Sequence, residues 1–109
     1  MKPARLRPAA QQDLVALSLW YAAKGGAPLA ARLFDAARDA LKPIERMPGL
    51  GSPALAESVG MPGLRHWGVD GFPVRWFYLE RTDHLDMLRL LGERQDVAAI
   101  LAPNSQPDR

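Results

Sequence analysis

Cysteine is absent from the 109 residues, which excludes disulfides, thiolate metal sites and cysteine nucleophiles and accords with a reducing cytoplasm. Histidine is scarce. His66 and His84 stand 18 residues apart with no third ligand at metal spacing, so neither a metal nor any other cofactor is expected. No run of about 18 apolar residues occurs, and no apolar segment of signal-peptide length follows Lys2, Arg5 and Arg7; membrane spanning and secretion are therefore not expected. Ser18, Ser52, Ser58 and Ser105 lie in no G-x-S-x-G elbow, and no glycine-rich segment carries a Walker lysine, which leaves hydrolase and nucleotide-binding chemistry without a motif.

What is present is a 48% hydrophobic chain, enough for one domain with a real core, expected over residues 1–102 with 103–109 as a flexible tail. The net charge of +2 is unevenly spread: residues 1–54 hold eight Lys/Arg against four Asp/Glu, and residues 55–109 hold six against eight. That modest N-terminal excess favours acidic protein segments at encounter but falls short of a polybasic nucleic-acid surface.

Ala4-Arg5-Leu6-Arg7 reads as a short strand, and Pro8 suits the first position of a helix, where no N–H bond is lost. Leu14, Leu17, Trp20 and Tyr21 form an apolar stripe at three- and four-residue steps, and Asp13 lies near enough to the helix start to favour its dipole weakly. Lys24-Gly25-Gly26 ends that helix. A second face follows through Ala30, Phe34, Ala37, Leu41 and Ile44, with a kink or break expected at Pro43. The two helices, joined across residues 24–27, predict an antiparallel hairpin that needs a sheet to cover it.

Residues 47–63, with three prolines and four glycines, read as a loop. Strands are predicted over 64–69 and 74–79, joined through Asp70-Gly71, and over 84–91. In the last of these Leu85, Met87 and Leu91 are expected on one face and Leu88 and Leu90 on the other, as in a central strand. A short helix is predicted over 97–101. Of the tryptophans, Trp20 and Trp76 are expected in the core and Trp67 at the surface.

The resulting order, β-α-α-β-β-β(-α), is that of the RelE/ParE toxins, and local segments resemble the family in the same sequence. Leu6-Arg7-Pro8-Ala9-Ala10-Gln11-Gln12-Asp13-Leu14 is similar to its opening strand and proline-started helix, and Trp20-Tyr21 falls where the family carries an aromatic. Residues 31–44 resemble its second helix, and Met47-Pro48-Gly49-Leu50-Gly51 the turn that follows. Gly63-Leu64-Arg65, Gly71-Phe72-Pro73 through Tyr78, and Met87-Leu88-Arg89-Leu90-Leu91 followed by Asp96 resemble its three C-terminal strands. The resemblance spans about residues 4–100 and is to the ParE branch. It implies an α+β fold, with an antiparallel helix hairpin packed on a small twisted, mainly antiparallel sheet.

For function, the resemblance implies the toxin component of a type II toxin–antitoxin system, held in a hetero-oligomer by a ParD-like antitoxin. ParE-like members inhibit DNA gyrase by binding, whereas RelE-like members are ribosome-dependent mRNA endoribonucleases. RNA cleavage needs a base for the 2′-hydroxyl, cations for the charged phosphorane and an acid for the leaving oxygen. Arg65, Arg75 and Arg89 fall on three successive strands and would supply the cations, or contacts to a protein target, if they converge. The family's frequent late histidine corresponds to Gly92, and the arginine before Asp96 to Gln95. A non-enzymatic gyrase inhibitor is therefore the favoured reading; a RelE-type nuclease and an inactive toxin-like binding subunit are the alternatives. Leu17, Tyr21, Leu33, Phe34 and Trp67 are the expected antitoxin contacts, and direct DNA binding by the toxin alone is not expected.

Overall fold

The computed structural model describes residues 1–102; the tail expected over 103–109 lies outside the described residues. Strand β1 (Ala4–Leu6) passes directly into helix α1 (Pro8–Asp39), with Pro8 at its first position. Gly26 interrupts α1 with φ 79° and ψ −177°, a conformation open to glycine because it has no Cβ. The second limb folds back beside the first, and Phe34 comes to share a groove with Leu14, Val15, Ser18 and Leu19. The reversal falls within the expected 24–27 joint.

The break expected near Pro43 comes just before it. Helix α1 ends at Asp39, whose carbonyl can receive no bond from Pro43, and α2 (Leu41–Arg46) resumes one residue later. Residues 47–63 are more ordered than their proline and glycine content suggests. They contain a 3-10 turn, Pro48–Leu50, an isolated bridge between Ser52 and His66, and helix α3 (Ala56–Val59), closed by Gly60 in the left-handed region.

The remaining strands are β2 (Arg65–Gly68), β3 (Val74–Glu80) and β4 (Leu85–Gly92), and α4 (Val97–Leu101) follows. They form one mixed sheet of order β1-β4-β3-β2, with β1 parallel to β4 and the other pairs antiparallel. Gly71, at φ +82°, allows the tight turn from β2 to β3, where Phe72 N–H reaches the Val69 carbonyl at 3.2 Å.

A register shift corrects the face assignment in β4. Phe77 pairs with Arg89 but the next residue, Tyr78, pairs with Met87, so β4 carries one residue more than β3 at that point. The extra residue inverts the alternation beyond it. Leu85, Met87 and Leu90 share the helix side with Trp76, Tyr78, Leu14, Leu33 and Ala37, whereas Leu88 and Leu91 join Phe77, Val59, Leu64 and Leu101 on the opposite side. Both faces of β4 are thus covered, as expected of a central strand.

Candidate functional site

Helix α1 is the element with most apolar surface left uncovered. Its core face is Ala10, Leu14, Leu33 and Ala37, continued by Ile44 in α2. The expected second-limb stripe holds at Ala37, Leu41 and Ile44 but not at Phe34, which is 42% exposed while Leu33 beside it is fully buried. Leu33 cannot line a surface groove, because one residue step turns the side chain by about 100° around the helix. On the first limb Val15 is 60% exposed, Leu19 68% and Trp20 54%. Trp20 is thus not a core residue, and it is more exposed than the half-buried Trp67, reversing the expected order; Trp76 is in the core, its Nε1–H donating to the Ala37 carbonyl at 3.0 Å.

The expected antitoxin contacts separate into different places. Phe34 joins Leu6, Val15 and Leu19 in the apolar hairpin groove, and Arg38 stands 5.8 Å from the Phe34 ring centre. Leu17 and Tyr21 face a cavity at the far end of β4, beside Trp20, Val74 and Leu90. Trp67 borders a third depression with Asp39, Pro43 and Asp70.

The three strand arginines are committed to different partners, and Arg65 stands on the other face of the sheet from Arg75 and Arg89, which flank Phe77. Arg65 uses Nη1 to donate to the carbonyls of Gly51 at 2.7 Å and Gly49 at 3.2 Å. It therefore pins the loop, together with Tyr78, whose hydroxyl donates to the Pro48 carbonyl at 2.6 Å and accepts from Gly51 N–H at 3.1 Å. Burial pushes the Tyr78 phenol up, the Gly51 bond opposing it, so this hydroxyl stays a donor. Arg75 lies on the opposite face, its Cζ 5.9 Å from the Phe77 ring centre. Arg89 forms a two-pronged pair with Asp13 at 2.7 and 2.8 Å, and Asp13 also accepts from Leu90 N–H at 3.0 Å. Asp13 therefore does far more than bias a helix dipole: it ties α1 to β4.

A second carboxylate, Asp86, is buried between Arg7 and Arg81, with four N–H bonds between 2.8 and 3.1 Å. The Arg7 hydrogen bonds hold its carboxyl below the usual range against the opposing effect of burial, and Arg81 adds to them. These pairs fix β1, β4 and α1 relative to one another. Among the described residues none of Arg65, Arg75 or Arg89 pairs with Asp86, Asp70 or Glu80.

Chemically, the surface is suited to binding. His66 lies 5.7 Å from the Phe77 ring and His84 Nδ1–H donates to the Asp83 carboxylate at 2.7 Å, so the two histidines serve separate neighbours. Gly92 N–H donates to the Gln95 side chain at 2.7 Å, closing the turn after β4 with groups that do not ionise. No cluster of three metal-ligating side chains occurs among the described residues, and no helix there is long and apolar enough to cross a membrane.

No curated protein is a significant sequence match. Among solved structures, one described as the chromosomal ParDE TA system from P. aeruginosa superposes with a TM-score of 0.73 at 20% identity, covering 84% of this chain and 96% of that one. At that identity the likeness establishes the fold. A family model for the ParE toxin of the type II toxin–antitoxin system parDE matches residues 4–97, which is most of the chain. The chain belongs to the ParE toxin family of type II toxin–antitoxin systems.

Proposed function

We propose that this toxin acts in the cytoplasm by binding DNA gyrase, without chemistry of its own, and is neutralised in a hetero-oligomer by a ParD-like antitoxin. The observation that carries the non-enzymatic reading is the commitment of the strand arginines: Arg65 is held on loop carbonyls and Arg89 on Asp13, which leaves Arg75 over Phe77 as the one with no side-chain hydrogen bond among the described residues. A phosphorane would need more than one guanidinium with its donors free. Gly92 and Gln95 add no acid or base where a nuclease of this fold would carry one.

The hairpin groove of Leu6, Val15, Leu19 and Phe34 suits the apolar face of an amphipathic antitoxin helix, and Arg38 at its rim suits an acidic flank. Of the strand arginines, Arg75 keeps its guanidinium free of side-chain hydrogen bonds among the described residues and is the one best placed to meet a target. Supercoiling by purified gyrase in the presence of a stoichiometric excess of the toxin tests the reading. Inhibition that the antitoxin relieves is expected. Undiminished supercoiling, together with cleavage of translated mRNA, would replace it with the endoribonuclease reading.

A further inference from the structure

A half-exposed tryptophan on a helix that already buries a core face calls for an explanation beyond stability. Trp20 stacks edge-on against Tyr21, with ring centres 4.9 Å apart and planes at 84°, and Tyr21 does the same against Phe72 at 5.1 Å and 82°. The chain of rings is braced from the sheet side. Trp20 and Tyr21 form one wall of a cavity of about 680 Å³ that Leu17, Val74 and Leu90 also line and that the turn after β4 closes. That turn is held by Glu93 N–H on the Pro73 carbonyl at 3.0 Å and by the Gly92–Gln95 bond.

The charges at the mouth are unbalanced. Lys24 Nζ stands 4.9 Å over the Trp20 ring, and Arg94 lines the opposite side with no ion pair among the described residues, against Glu93 alone. Asp13 also faces the cavity, but Arg89 and Leu90 N–H already satisfy it, so it leaves little negative field. An apolar bay with cations at its rim matches a large apolar side chain flanked by a carboxylate. Rigid Trp, Tyr and Arg groups of this kind are the usual anchors of protein interfaces. A nucleic-acid strand would bring a repeating phosphate charge, for which two cations beside Glu93 are a poor track.

Val15 and Leu19 point to one side of the first limb, and Leu17 and Trp20 lie roughly half a turn round from them. We propose that the Trp20–Arg94 cavity is the docking point for the toxin's protein target, taking an aromatic or large aliphatic side chain adjacent in sequence to a carboxylate, and that it is separate from the antitoxin groove. This rests on the toxin reading above.

Trp20→Ala and Arg94→Glu test it, with Arg94→Lys as the conservative control and thermal unfolding to confirm the fold. Three readouts are needed: growth arrest on unopposed expression, inhibition of purified gyrase, and affinity for the antitoxin. Trp20→Ala and Arg94→Glu are expected to weaken arrest and gyrase inhibition by about tenfold or more, with Arg94→Lys close to wild type and antitoxin affinity changed by less than about twofold. Wild-type potency in Trp20→Ala overturns the proposal, as does an equal loss of antitoxin affinity. If the unaltered protein arrests growth without touching gyrase, the gyrase reading fails while the growth readout still scores the cavity. A toxin that cleaves translated mRNA and loses that cleavage in Trp20→Ala overturns the protein occupant in favour of nucleic acid. An unaltered chain that neither arrests growth nor inhibits gyrase overturns both readings.

Discussion

Strand β4 and the first limb of α1 lie against each other, yet they treat apolar residues in opposite ways. In β4 the side chains of Leu85, Met87, Leu88, Leu90 and Leu91 are all buried, because the strand has neighbours on both edges and cover on both faces. The limb of α1 has cover on one side only. It buries Ala10 and Leu14 there and leaves Val15, Leu19 and Trp20 to solvent. Stability is therefore concentrated in β4, and α1 carries the exposed apolar surface on which the proposed recognition rests.

Truncation in β4 sharpens this contrast most. Leu90→Ala opens a void between helix and sheet and is expected to cost about 2–5 kcal/mol by urea unfolding. A loss below about 1 kcal/mol would mean that the core closes around the gap and that β4 is not its centre.

The two ion-pair centres give the next effect. Asp13→Ala strands Arg89, whose side chain is only 28% exposed, and leaves Leu90 N–H without its acceptor; a loss of about 2–4 kcal/mol is expected. Asp86→Ala releases Arg7 and Arg81, which are 53% and 45% exposed and can turn into water, so about 1–2 kcal/mol is expected. Should the order be reversed in urea titrations, burial of the guanidinium does not set the cost.

Much of this architecture is legible in the chain because it depends on local signals: Pro8 at a helix start, the glycine at the reversal, the aromatic run of β3. The parts that escape are those fixed by residues far apart. The extra residue at Leu88 is set by pairing with β3, and it alone exchanges Leu90 and Leu91 between faces. The Asp13–Arg89 pair joins residues 76 apart, and nothing local to Asp13 distinguishes it from an ordinary acid near a helix start. Periodicity places Phe34 on the apolar stripe, but Leu33 beside it fits almost as well, and only the angle of the second limb against the sheet decides which of the two is buried. Trp20 is the residue whose exposure sequence reasoning misses, since side-chain size argues for burial while its position on the limb determines the opposite.

Acid titration is a gentler probe of the sheet. His66 is held below its ordinary value of 6.5, first by burial and then by the Arg75 charge. The unfolded chain thus binds the proton more readily, and the stabilisation from neutral His66 is complete above about pH 6.5 and is lost as pH falls through the lowered value. Asp86, also lowered, contributes above its ordinary 3.8 and loses that contribution as pH falls below it. Urea unfolding should show a shallow decline below about pH 6.5, which His66→Asn flattens, and a steeper one in stronger acid, which it leaves alone.

The smallest expected stability change belongs to Leu19, and it separates the two regions most cleanly. Leu19→Ser replaces a side chain that is already 68% exposed, so unfolding free energy should move by no more than about 0.5 kcal/mol, against several for Leu90→Ala. If the hairpin groove receives the antitoxin, the same substitution removes a central apolar contact from that interface, and antitoxin affinity should fall by about tenfold or more. Gyrase inhibition should not follow, because Leu19 points away from Trp20's cavity. A variant that loses stability and partner affinity together would show that Leu19 supports the hairpin itself, and the division between a load-carrying strand and a recognition helix would have to be redrawn.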